Sequence, residues 1–71
     1  MEVQTGQGER LLRIREVMSR TGIGKTYVYD LMRAGAFPRA VVLSRRTVVW
    51  PASAIDAWIA ERLSNATHAR R

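Results

Sequence analysis

The chain has 71 residues, 46% hydrophobic and 25% charged, enough for one small domain and too few for a nucleotide-binding α/β sheet or a barrel enzyme. Twelve Lys and Arg against six Asp and Glu leave a formal net charge of +6, which points to a polyanionic partner, nucleic acid first. With no cysteine and one histidine, His68, neither a disulfide framework nor a metal site is expected, and the apolar runs are too short to cross a membrane.

Residues 1–9 are polar and glycine-containing, and disorder is expected there. They lack a charged start followed by an apolar stretch, so no signal peptide is expected and the location implied is cytoplasmic, associated with the nucleoid. A first helix is predicted over residues 14–20. Val17 and Met18 face the core, Leu12 and Ile14 pack at its start, and Glu16 meets the positive end of the helix dipole. Thr21-Gly22 stops it, since glycine is free to take positive φ. Ile23 pins the turn. A second helix is predicted over residues 25–34, with Val28, Leu31 and Met32 on one apolar face. Lys25, Thr26, Tyr29, Asp30 and Arg33 fall opposite. Gly35 caps this helix and Pro38 forbids its continuation.

Two β-rich stretches follow, residues 41–43 and 47–50, joined by Ser44-Arg45-Arg46 as a hairpin with a basic tip. Alternation sends Val41, Leu43, Val48 and Trp50 inward and Val42 and Val49 outward. The last helix is predicted over residues 51–63. Ile55, Trp58, Ile59 and Leu63 form its core stripe, and Ser53 with Asp56 forms a capping box at its start. Pro51 serves equally as a first helical residue. Residues 64–71 read as a flexible basic tail, so the ordered unit spans residues 10–63.

Two short helices joined by a glycine-containing turn describe a helix-turn-helix, whose second helix enters the major groove of DNA. The fold class is therefore mainly α with a small β-hairpin, a winged helix-turn-helix. Lys25, Thr26, Tyr27, Tyr29, Asp30 and Arg33 on the second helix all carry polar tips suited to base edges and phosphates. Arg45 and Arg46 on the wing suit a minor groove or a phosphate. Arg10, Arg13, Arg15 and Arg20 surround the first helix and add salt-sensitive attraction.

The ordered series Leu11-Leu12-Arg13-Ile14-Arg15-Glu16-Val17, Thr21-Gly22-Ile23-Gly24-Lys25-Thr26, Val28-Tyr29, Leu31-Met32, Gly35, Phe37-Pro38, Val41, Leu43, Arg46, Trp50 and Ile55-Asp56-Ala57-Trp58-Ile59 resembles the AlpA family. These are small phage and prophage regulators related to excisionases and to MerR-type winged helices. The resemblance covers residues 11–63. It implies a sequence-specific binder of double-stranded DNA that activates an integrase gene or acts as an excisionase, with integrase or RNA polymerase as protein partner. It places Lys25, Thr26, Tyr29 and Arg33 on the DNA-facing side of the second helix and Arg46 on the wing. Gly24 stands where the family has a capping serine, a small loss. Arg13 stands where Ser or Thr caps the first helix. Asp30 stands where a basic residue is common; a carboxylate repels phosphate but accepts from a cytosine amino group.

Several features invite other readings. Gly22-Ile23-Gly24-Lys25-Thr26 ends like a phosphate-binding loop, but the first glycine of GxxxxGK[ST] would fall on Ser19, and the segment before it reads as helix. Asp30, Asp56 and Glu61 form no paired acid–base site, so no enzyme and no cofactor are expected. Trp50 and Trp58 read as core residues rather than stacking platforms. Val42 and Val49 form an outward apolar patch suited to self-association, and several copies side by side fit the small footprint of one such domain on DNA. The alternatives are a protein-interaction module such as an antirepressor, and a small terminase-type DNA-binding subunit.

Overall fold

A computed structural model describes residues 9–70, with side-chain surroundings for residues 9–66. Residues 1–8 and Arg71, and the side chains of His68 and Arg70, lie outside it, as do the disorder expected of residues 1–8 and any contact by the terminal arginines. Among the described residues the order is β1 (Leu11–Leu12), α1 (Ile14–Thr21), α2 (Lys25–Arg33), β2 (Val41–Ser44), β3 (Thr47–Pro51) and α3 (Ala52–Arg70). No helix among them is long and apolar enough to cross a membrane.

Both short helices begin and end where local chemistry dictates. The Arg13 amide donates to the Glu16 carboxylate at 3.3 Å, so the helix gains part of a cap without a Ser or Thr before it. Gly22, at φ 77°, ends α1 and donates its N–H to the Met18 carbonyl at 2.8 Å. The Thr21 hydroxyl donates to the Val17 carbonyl at 2.8 Å and accepts from the Ile23 amide at 3.4 Å, which fixes the turn into α2. Gly24 then supplies an extended N-cap, and Gly35, at φ 75°, turns the chain out of α2.

The sheet has three strands, in the order β1-β3-β2, all antiparallel. The sequence pattern reveals only the hairpin. Leu11 and Leu12 pair with Pro51 and Trp50, which makes β3 the central strand. Val49 is therefore buried, at 3% exposure, and not outward as alternation in an isolated hairpin suggests. Across the hairpin Val41 pairs with Val49 and Val42 with Val48, before the register shifts so that Ser44 meets Thr47. The edge strand β2 is exposed along its length: Val41 and Leu43, expected inside, are 42% and 56% exposed, and Val42 is 68% exposed.

The core gathers Leu12, Val17, Val28, Phe37, Trp50, Ala52 and Ile55, one or two residues from nearly every element. The tryptophans serve it as expected. Trp50 is fully buried, and its indole N–H donates to the Pro38 carbonyl at 3.1 Å. Trp58 donates to the Ala36 carbonyl at 2.8 Å and meets Phe37 edge-to-face at 4.8 Å. The two indoles hold the Ala36–Phe37–Pro38 turn from both sides.

The start of α3 differs from the sequence pattern. Asp56 accepts from Arg20 of α1 at 2.6 Å instead of closing a box with Ser53. The cap comes from Glu9, which accepts from the Ser53 hydroxyl at 2.7 Å and the Ser53 amide at 3.2 Å. By composition Glu9 belongs with the polar N-terminal segment; once β1 pairs with β3, the carboxylate lies over the first turn of α3. The helix also runs beyond Leu63 to Arg70, because residues 64–70 contain no glycine or proline to stop it.

Ser53 holds the Glu9 carboxyl below the usual carboxylate range, its hydroxyl first and its amide second. A depressed pKa in the folded state means a contribution present at neutral pH and lost as pH falls below the ordinary carboxyl value through the lowered one. Glu9→Gln is expected to melt below the wild type at about pH 7, with the gap shrinking toward about pH 3. Thermal melts of both proteins at the two pH values check this; a gap independent of pH counts against the charged cap.

Candidate nucleic-acid interface

Helix geometry fixes which side chains of α2 share a face. Val28 is fully buried against the core, and Leu31 and Met32 flank it. At 100° per residue, Thr26, Asp30 and Arg33 fall on the side opposite Val28, and all three are exposed. Lys25 is exposed in the first turn. This is an outward surface of alternating donors and acceptors, about one helix wide, which is the form a major groove admits.

Tyr27 and Tyr29 fall on opposite flanks, because two residues apart is about 200° of helix, and Tyr29 adjoins Arg33 one turn on. Tyr29 is half-buried and packs edge-to-face on Trp50, ring centroids 6.3 Å apart. Its ring seats α2 on the central strand, and the side chain keeps part of its surface exposed. Tyr27 is 53% exposed on the other flank, beside a shallow groove that it lines with Ile23, Trp58, Ile59 and Leu63. A sequence wheel places both tyrosines on flanks, and only the tertiary packing decides which flank turns inward.

Arg45 and Arg46 form the two-residue turn between β2 and β3, and both are exposed. Neither they nor Lys25 pair with a carboxylate among the described residues. The arginines around α1 divide into two kinds. Arg10 pairs with Glu16 at 3.0 Å and Arg20 with Asp56 at 2.6 Å, so the charges of these two are matched within the protein. Arg13 and Arg15 are exposed, with no carboxylate partner among the described residues. On α2 itself, Arg33 donates to the Asp30 carboxylate, one turn apart along the exposed face. Residue types alone do not reveal that pairing, although an Asp three positions before an Arg permits it.

The arrangement can hold a polyanion and discriminate along it. Cations without a carboxylate partner among the described residues sit at the start of α2 and at the hairpin tip. Tyr29 packs on Trp50, so α2 touches the central strand that leads back from the hairpin tip.

The chain is 41% identical over 56 residues to an uncharacterized protein, ORF88, of Enterobacteria phage P4, covering 79% of this chain and 64% of that one. It is 38% identical over 40 residues to the response regulator inhibitor for the tor operon of Escherichia coli K12, and equally to a probable excisionase, hkaC, of Shigella phage Sf6. Each of those two alignments covers 56% of this chain and 61% of the relative. The matches thus span a little under two thirds of the length of these relatives. No solved structure matches significantly. Residues 10–63 match the family described as prophage CP4-57 regulatory protein (AlpA), and the chain, a winged helix-turn-helix, belongs to that family.

Proposed function

We propose that this protein binds double-stranded DNA sequence-specifically and acts as a transcriptional regulator or an excisionase of a phage or mobile element. The outer face of α2, with Lys25, Thr26, Asp30 and Arg33, enters a major groove, and Arg45 and Arg46 grip the backbone or minor groove beside it. The observation that carries this reading is the exposed polar face on the second helix of a helix-turn-helix, joined to a basic wing by the Tyr29–Trp50 contact. The role is recognition without catalysis. Family membership and the relative named as a probable excisionase support it.

One domain of this size buries only about 600–1,000 Å² on DNA, so several copies act together. Val41, Val42 and Leu43 on the edge strand β2 are the surface through which neighbouring copies touch, Val49 being buried. Copies assembled this way recruit RNA polymerase at a promoter or integrase at an attachment site, in the cytoplasm. The relative named as a response regulator inhibitor favours a second reading, a protein-interaction module using the same apolar edge.

Fluorescence anisotropy with a random duplex and one taken from upstream of the protein's own gene separates these readings. Specific recognition is expected to give affinity on the order of 10³-fold tighter for the second duplex, some of it surviving higher salt. Binding is expected to steepen on duplexes carrying two sites. Equal affinities that vanish together with salt would overturn the regulator reading and favour the interaction module.

A further inference from the structure

We propose that Asp30 is a positioning residue that holds Arg33 ready to read a guanine, which makes guanine a required base under the C-terminal half of α2. This rests on the reading of α2 as the recognition helix. The sequence alone suggests a different role for Asp30, direct acceptance from a cytosine amino group. The structure instead shows the carboxylate occupied by Arg33, through one oxygen and one guanidinium nitrogen. Both side chains are largely exposed, at 53% and 73%.

Three observations point to recognition as the reason for the pair. An exposed ion pair contributes little to stability, so the fold does not need it. The carboxylate stands on the face that meets DNA, where an uncompensated negative charge is repelled by phosphates. Its cost there is offset if it fixes the direction of a base-reading side chain. Finally, the geometry leaves the right atoms available. A guanidinium has five N–H donors in a planar fork. The Asp30 bond uses one nitrogen of Arg33, Nη2, which carries a second hydrogen. With Asp30 on the Nη2 hydrogen of the Nε side, as the proposal requires, the other Nη2 hydrogen and one on Nη1 form the pair of parallel donors that guanine O6 and N7 accept. A free arginine must give up much rotamer freedom to adopt that pose, and one already held by Asp30 gives up less.

The test uses the full chain, a preferred duplex selected from a randomised pool, its single G→A variants, and a random duplex. The wild type is expected to discriminate roughly tenfold or more at one guanine. Asp30→Asn is expected to cut that ratio to about threefold or less while binding the random duplex several-fold more tightly, because one negative charge is gone. Arg33→Lys is expected to lose discrimination at the same guanine, since lysine lacks the fork. A merely structural or repulsive Asp30 gives a different result: Asp30→Asn tightens preferred and random duplexes alike and keeps the ratio, which overturns the proposal. Discrimination lost in Asp30→Asn at a G·C pair where Arg33→Lys keeps it also overturns the proposal, in favour of direct readout of that pair's cytosine by Asp30. A wild type that shows no preference within the pool overturns the parent reading of α2, and this proposal with it.

Discussion

Trp50→Ala is expected to leave the chain unfolded at room temperature. The side chain is fully buried, its indole N–H satisfies the Pro38 carbonyl, and its ring carries Tyr29 of α2. Its backbone pairs with Leu12 of β1 in the central strand. Truncating a buried Trp to Ala costs about 3–5 kcal/mol, and a core of this size supplies about 3–5 kcal/mol in all. The two figures meet, so no net stability remains. The expected observations are a featureless far-UV melt and a collapsed amide NMR spectrum. Trp50→Phe keeps a large ring and loses the N–H donor, which leaves a carbonyl unsatisfied. It is expected to fold with about 1–2 kcal/mol less stability, a Tm lower by about 5–15 °C in a domain this small. A Trp50→Ala protein that still melts cooperatively near the wild-type temperature would show that the sheet, α2 and the Pro38 turn hold together without the indole between them.

The same residue shows what the sequence reveals and what it hides. Elements governed by their own neighbours are legible. Gly22 and Gly35 adopt positive φ where helices must end, Val28 marks the buried face of α2, Trp50 is in the core and Trp58 packs against it. Pairings between distant residues are not legible. β1 is two residues long, too short for any periodicity, and it becomes a strand only because Trp50 and Pro51 are there to pair with it. Two consequences follow from that one pairing. Val49 becomes the middle of a sheet instead of its outside, and Glu9 is carried to a helix start 44 positions away, where it displaces the local Ser53–Asp56 box. Asp56 then finds Arg20, 36 positions back.

The site divides along the same line. That α2 presents Thr26, Asp30 and Arg33 outward follows from helical spacing and the position of Val28. That Tyr29 turns to Trp50 while Tyr27 stays at the surface does not, because both lie on flanks of the helix. The basic hairpin tip at Arg45 and Arg46 is legible as composition. The exposure of β2 depends on β1 taking the opposite edge of the sheet, and no local pattern encodes that.

Lys25→Ala, Thr26→Ala and Arg33→Ala combined are expected to abolish specific DNA binding in a protein that still folds. All three side chains are exposed and outside the core, so the melt is expected within a few degrees of the wild type. Tyr29 is left intact, because removing its ring would loosen α2 from the sheet and confuse weakened recognition with a weakened fold. Each good base contact is worth about 1–3 kcal/mol, so removing one or two together with a phosphate contact raises Kd on a preferred duplex by about 10²–10³-fold. The companion variant, Arg45→Ala with Arg46→Ala, is expected to act differently. It weakens preferred and random duplexes by similar factors and flattens the salt dependence by about 0.9 for each phosphate no longer neutralised. The contrast is the informative part. If both variants lose affinity without losing preference, α2 serves as one more cationic surface and specificity comes from DNA shape. If the α2 variant alone erases the preference, bases are read by that helix, and the wing supplies the attraction that brings it to them.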